Sequence, residues 1–179
     1  ECHFDAPPEE DSAALEIVGL PSEIAPGARY PLTVRLDDAR MVTAGFLISA
    51  WLGAERTREA GAFEADPDAD PPTVETNGAR ARSTEARPRV PAPGVAEWSL
   101  VWQAPASVPA PIELELWANA GNDDKSPFGD ATHKRVFRLG RDGRPDLGDA
   151  PGGRGERRLA GAADRGEAGA VNDTDARAD

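Results

Sequence analysis

The sequence predicts an all-β protein: an antiparallel immunoglobulin-like β-sandwich over residues 13–139, followed by a disordered C-terminal tail over 140–179. Short apolar runs with period-two alternation recur along the body, separated by Pro, Gly, Asp and Asn. No segment of convincing length carries the apolar stripe of a helix. The last 40 residues hold 9 of the 18 glycines and, apart from Ala, only Leu147, Leu159 and Val171 as aliphatics. Such a stretch cannot bury enough apolar surface to offset chain entropy.

The elements follow in order. Leu15, Ile17 and Leu20 mark one face of a first run, which Pro21 ends. Tyr30, Leu32, Val34 and Leu36 alternate with Pro31, Thr33, Arg35 and Asp37. Residues 42–52 are apolar on both faces, as a central strand would be. The best helical candidate, 56–65, lacks an apolar stripe. Residues 64–96 contain Pro67, Pro71, Pro72, Pro88, Pro91 and Pro93, so they read as a long irregular crossing with short edge strands at 73–76 and 79–83. Trp98, Leu100 and Trp102 alternate with Ser99, Val101 and Gln103; Ile112, Leu114 and Leu116 alternate with Glu113, Glu115 and Trp117. Val136, Phe137 and Leu139 close the series. Six or more such strands imply an antiparallel sandwich, with Trp51, Trp98, Trp102 and Trp117 giving bulk to its core. The sharper alternative for Trp51 or Trp117 is an exposed platform for sugar stacking.

Composition excludes several functions. The 32 acidic and 20 basic side chains leave a formal charge of -12. The tail's 7 Arg and 9 acidic residues nearly cancel, which leaves -10 on the body. No basic field exists to hold nucleic acid, and no apolar run is long enough for this segment to insert in a membrane. One Cys excludes an internal disulfide framework and a Cys-rich zinc site. Two His and one Tyr leave few groups for acid–base work. No Ser/His/Asp set is defensible, because His3 and His133 stand at opposite ends and neither accompanies a Gly-x-Ser-x-Gly turn. The opening at Glu1, without Met or signal peptide, reads as a processed or excised piece of a longer, multidomain chain.

Five segments then carry a resemblance: PGARYPLTV (26–34), AGFLISA (44–50), EAGAFEA (59–65), WSLVWQAP (98–105) and LWANAGNDDKSPFGD (116–130). In this order they resemble the bacterial reeler-like domains grouped as choice-of-anchor V proteins, relatives in fold of the reelin N-terminal domain. The resemblance covers residues 13–139 and implies an extracytoplasmic β-sandwich, periplasmic, secreted or at the cell surface, with no enzyme activity. One departure is the His that such domains often place between the Ala-Gly turn and the first Trp: residues 66–97 contain none.

The same family frequently opens with a Cys-x-x-Cys-His box, and residues 1–12 open Glu1-Cys2-His3-Phe4. The resemblance therefore implies a truncated c-type heme box, with Cys2 as the second thioether attachment and His3 as the proximal iron ligand. A surplus Cys near a cut terminus and an intermolecular disulfide are the alternatives. His133 and Met41 are the candidate sixth ligands within the chain; a ligand from another domain or an open position are the others. As ordinary residues, His133 is expected on an exposed strand edge and Met41 as a cap on the core. Asn122, Asp123, Asp124 and Asp130 crowd one loop and form a candidate calcium site. The order is not an EF-hand and Lys125 intrudes, so a solvated turn is the default. Two functional readings result: a heme-bearing electron-transfer or surface module with an unidentified redox or surface protein partner, and a non-catalytic adhesion or ligand-binding sandwich without heme.

Overall fold

Where Leu, Ile, Val and Trp recur at every second position, an extended chain presents them on one face, and two such faces can close on each other. The computed structural model describes residues 6–85, 87–124, 129–140 and 145–146. They form β1 (Leu15–Val18), β2 (Arg29–Asp37), β3 (Thr43–Leu52), β4 (Ala62–Ala65), β5 (Val74–Asn77), β6 (Arg80–Ser83), β7 (Val95–Gln103), β8 (Ile112–Gly121), β9 (Ala131–Leu139) and β10 (Pro145–Asp146). A four-stranded sheet runs β1-β2-β7-β4 and a six-stranded sheet runs β10-β9-β8-β3-β6-β5, with every pairing antiparallel. The expected all-β sandwich is what the chain forms. Among the described residues no helix is long and apolar enough to cross a membrane.

The interior is filled from both sheets. Leu32, Val34 and Leu36 of β2 and Trp98, Leu100 and Trp102 of β7 face Phe46, Ile48 and Ala50 of β3 and Leu114 and Leu116 of β8. Phe46 and Trp98 meet between the sheets with ring centroids 4.9 Å apart at 49°, a tilted contact that suits the ring quadrupoles. Trp102 donates its indole N–H to the Ala60 carbonyl at 3.1 Å. Met41 packs partly buried against this core, as a cap would.

Three expectations are corrected. Trp51 and Trp117 are not core residues: both are half-buried on the outer face of the six-stranded sheet. Trp117 lies one position out of phase with Leu114 and Leu116, so the pleat turns it away from the interior. Second, residues 62–65 are a strand, β4, that the sequence reading left without one; its only deeply buried side chain is Phe63, and pairing with β7 holds it. Third, β6 is not an edge strand but lies between β3 and β5. Beyond Leu139, Pro145 and Asp146 pair with Leu139 and Arg138, so two residues assigned to the tail lie on the sheet edge. The rest of the segment after Gly140 lies outside the described residues.

Candidate functional site

His133 lies on β9 in phase with Phe137 and Leu139, which face the interior. It is therefore not an exposed edge residue; it is 2% exposed. Its Nε2 lies 3.0 Å from Asp38 Oδ2 and its Nδ1 lies 2.9 Å from Ser12 Oγ. Asp38 also accepts from the Arg40 backbone N–H at 2.8 Å, from Arg40 Nε at 3.0 Å and from Arg40 Nη2 at 2.6 Å. The Arg40 side chain, ahead of the opposing cost of burial, holds the Asp38 carboxyl well below the usual carboxylate range. An ionised Asp38 only accepts, so Nε2 carries the proton toward it. The Glu9 carboxylate stands 3.3 Å from the same Nδ1.

The sequence reading admitted no Ser/His/Asp set, yet the fold brings Ser12, His133 and Asp38 into one chain of contacts. Ser12 and Asp38 are also buried, at 2% and 8% exposure. A sealed hydroxyl has no approach for a substrate, so this arrangement joins segments instead. Glu9 and Ser12 donate backbone N–H groups to the carbonyls of Thr132 and Lys134, and Glu9 returns its carbonyl to the Lys134 N–H. The segment before β1 is thereby strapped along β9, and the buried side chains pin it to the turn after β2. Both His133 nitrogens are engaged here, and Met41 is partly buried against the core. Cys2 and His3 lie outside the described residues.

The crowded loop organises itself. Asp130 accepts from the Asn122 N–H at 3.1 Å and from Asn119 Nδ2 at 3.3 Å. Asn122 Nδ2 donates to Asp124 at 3.1 Å, and the Asp124 N–H donates back to Asn122 Oδ1 at 3.0 Å. Asp123 is an exposed turn residue with φ of 60°. Among the described residues no three His, Cys, Asp or Glu side chains converge as a metal site. Lys125 lies outside the described residues.

The outer face of the six-stranded sheet is the third cluster. Cross-strand register sets Leu47 beside Trp117 on one side and Arg82 on the other. Leu47 is 44% exposed although β3 is a central strand. Lys134 sits 4.9 Å above the Trp117 ring and Arg80 sits 5.4 Å above Trp51. Each indole thus already carries a cation. Glu113, 3% exposed, is held by Arg56 at 3.3 Å and Arg138 at 3.0 Å, and Arg82 pairs with Glu75. A shallow groove of about 300 Å³ runs over β3, β6 and β5 beside Leu47, between Glu75, Asn77, Arg80 and Arg82.

Sheet order and pairing define an antiparallel β-sandwich of a four-stranded and a six-stranded sheet. The chain is similar to the reeler domain of human F-spondin, with a TM-score of 0.53 and 13% identity over 75% of this chain and 93% of that one. It is also similar to the Reelin-N domain of F-spondin, with a TM-score of 0.51 and 15% identity over 74% of this chain and 88% of that one. At such identities the likeness is one of fold. No family model matches the chain, and no curated protein matches it in sequence.

Proposed function

We propose that this chain is a non-catalytic binding sandwich of an extracytoplasmic protein, which engages a protein partner through the outer face of its six-stranded sheet. One observation carries the reading: Leu47, 44% exposed, is the cross-strand neighbour of Trp117, so apolar surface is contiguous there. Around it the charges are paired across strands, which lowers the cost of covering them. The cations over Trp51 and Trp117 favour a protein surface over a sugar ring, since stacking would have to displace them. The reeler-like fold supports a binding role over a heme-carrying one, and the extracytoplasmic setting rests on the resemblance of 13–139 to reeler-like domains.

The test is direct binding of the purified chain to arrays of immobilised extracellular proteins and glycans, alongside Leu47→Asp and Trp117→Ala. Binding to a protein that both substitutions weaken supports the proposal. Binding untouched by either, or confined to glycans, refutes it. A Soret band from the purified protein would support the heme-bearing reading through Cys2 and His3 instead.

A further inference from the structure

At the opposite side of the sandwich, β1 is the free edge of the four-stranded sheet and lies beside β9 of the other. A cavity of about 440 Å³ opens between them, walled by Ile17, Val18, Leu20 and Phe137, with Arg135 inside and Glu16 beside it. Its volume falls in the range of about 300–1,000 Å³ that small-molecule sites occupy. Arg135 faces inward, in phase with His133 and Phe137. Its guanidinium lies 5.1 Å from the Phe137 ring centroid, and Nη1 donates to the Leu15 carbonyl at 2.7 Å. Among the described residues no carboxylate pairs with it, whereas Arg29, Arg35, Arg40, Arg56, Arg82 and Arg89 each have one.

The backbone at the edge adds to the site. The Leu15 N–H donates to the Ser12 carbonyl and its own carbonyl accepts from Arg135, so Leu15 turns its polar groups away from β2. Antiparallel alternation makes Ile17 do the same, which directs its N–H and carbonyl toward the open edge. With the Leu15 groups already used, one residue is too little ladder for an added peptide strand. A half-buried cation among aliphatic and aromatic walls, next to one backbone donor and acceptor, instead matches a carboxylate on an apolar body. The guanidinium fork accepts a carboxylate in two parallel hydrogen bonds. Glu16, on the exposed face of β1 beside the site, opposes any anion and weighs more heavily against a dianion such as a phosphate monoester than against a monoanion.

We propose that the β1–β9 edge is a binding site for a monocarboxylate with an aliphatic body, its carboxylate on Arg135 and its chain against Ile17, Val18, Leu20 and Phe137. This site is separate from the outer-face surface and does not depend on it. The experiment titrates decanoate into the full chain by calorimetry and follows backbone amides by NMR, with decanol and decylamine as neutral and cationic probes. Decanoate is expected to bind most tightly and to shift the Ile17 amide. Arg135→Met should weaken it by about ten-fold or more, the loss of a charge-assisted hydrogen bond. Glu16→Gln, on the exposed side of β1, should tighten it roughly two- to five-fold. Should Arg135→Met fail to fold, Glu16→Gln and Arg135→Lys, which keeps the charge, decide the matter. Decanol or decylamine binding as tightly as decanoate overturns the proposal. So does a silent Ile17 amide, or an affinity indifferent to Glu16→Gln.

Discussion

His133 Nε2 stands 3.0 Å from Asp38 Oδ2, across 95 positions of sequence. The contact links β9 of one sheet to the turn after β2 of the other. Through Ser12 on the other ring nitrogen it also reaches the segment before β1. Removing Asp38 leaves the buried His133 N–H without its acceptor, while the exposed Arg40 returns to water. Asp38→Ala is expected to destabilise the fold by about 1–3 kcal/mol, read from urea unfolding. An unchanged midpoint would show that the network is dispensable.

The same carboxylate sets an acid limb. Because Arg40 and His133 hold Asp38 ionised, its folded pKa lies below the ordinary value of 3.8. A depressed carboxyl stabilises the fold fully above that unfolded value and loses the contribution as pH falls through the folded one. The stability gap between the native chain and Asp38→Asn should therefore be constant above about pH 5 and shrink below the ordinary value. Chemical unfolding across pH 7 to 2 checks it; a gap that widens in acid contradicts it.

Two core tryptophans should respond differently to the same change. Trp102 gives its N–H to the Ala60 carbonyl, whereas the buried Trp98 N–H has no partner among the described residues. Trp102→Phe leaves a buried carbonyl unpaired, while Trp98→Phe removes an unmatched donor. Trp102→Phe is expected to cost about 1–3 kcal/mol more than Trp98→Phe. Equal losses by calorimetry would show that packing alone governs both sites.

Gly61 closes the turn that presents the Ala60 carbonyl to Trp102. Its φ is +74°, and a Cβ there would collide with the Gln103 carbonyl of β7. Gly61→Ala should cost about 2 kcal/mol or more, from left-handed strain plus that collision, visible as a lowered melting temperature. A neutral result would mean that β4 can shift without loss.

Leu47 makes the opposite case. It is 44% exposed, so Leu47→Asp should alter stability by no more than about 0.5 kcal/mol while weakening the binding proposed for this face. A large fall in unfolding free energy would show that the residue serves the sheet rather than a surface.

Some of what the sequence reading missed was present in it. Alternation places Trp117 opposite Ile112, Leu114 and Leu116, which marks it as outward. Counting back by twos from Leu139 and Phe137 puts Arg135 and His133 on the inner face. By contrast, nothing local in 56–65 announces β4. It buries one side chain deeply and owes its conformation to β7.

Periodicity along the chain was enough to establish strands, their approximate limits and hence a two-sheet architecture, because the pleat turns a pattern of two into two faces. It could not say which face of a doubly apolar strand such as β3 meets the opposite sheet. Nor could it bring Ser12, Asp38 and His133 together, or set Arg135 against the Leu15 carbonyl. Those outcomes depend on which distant strands pair and in what register, and burial energy resolves that choice only when both sheets close.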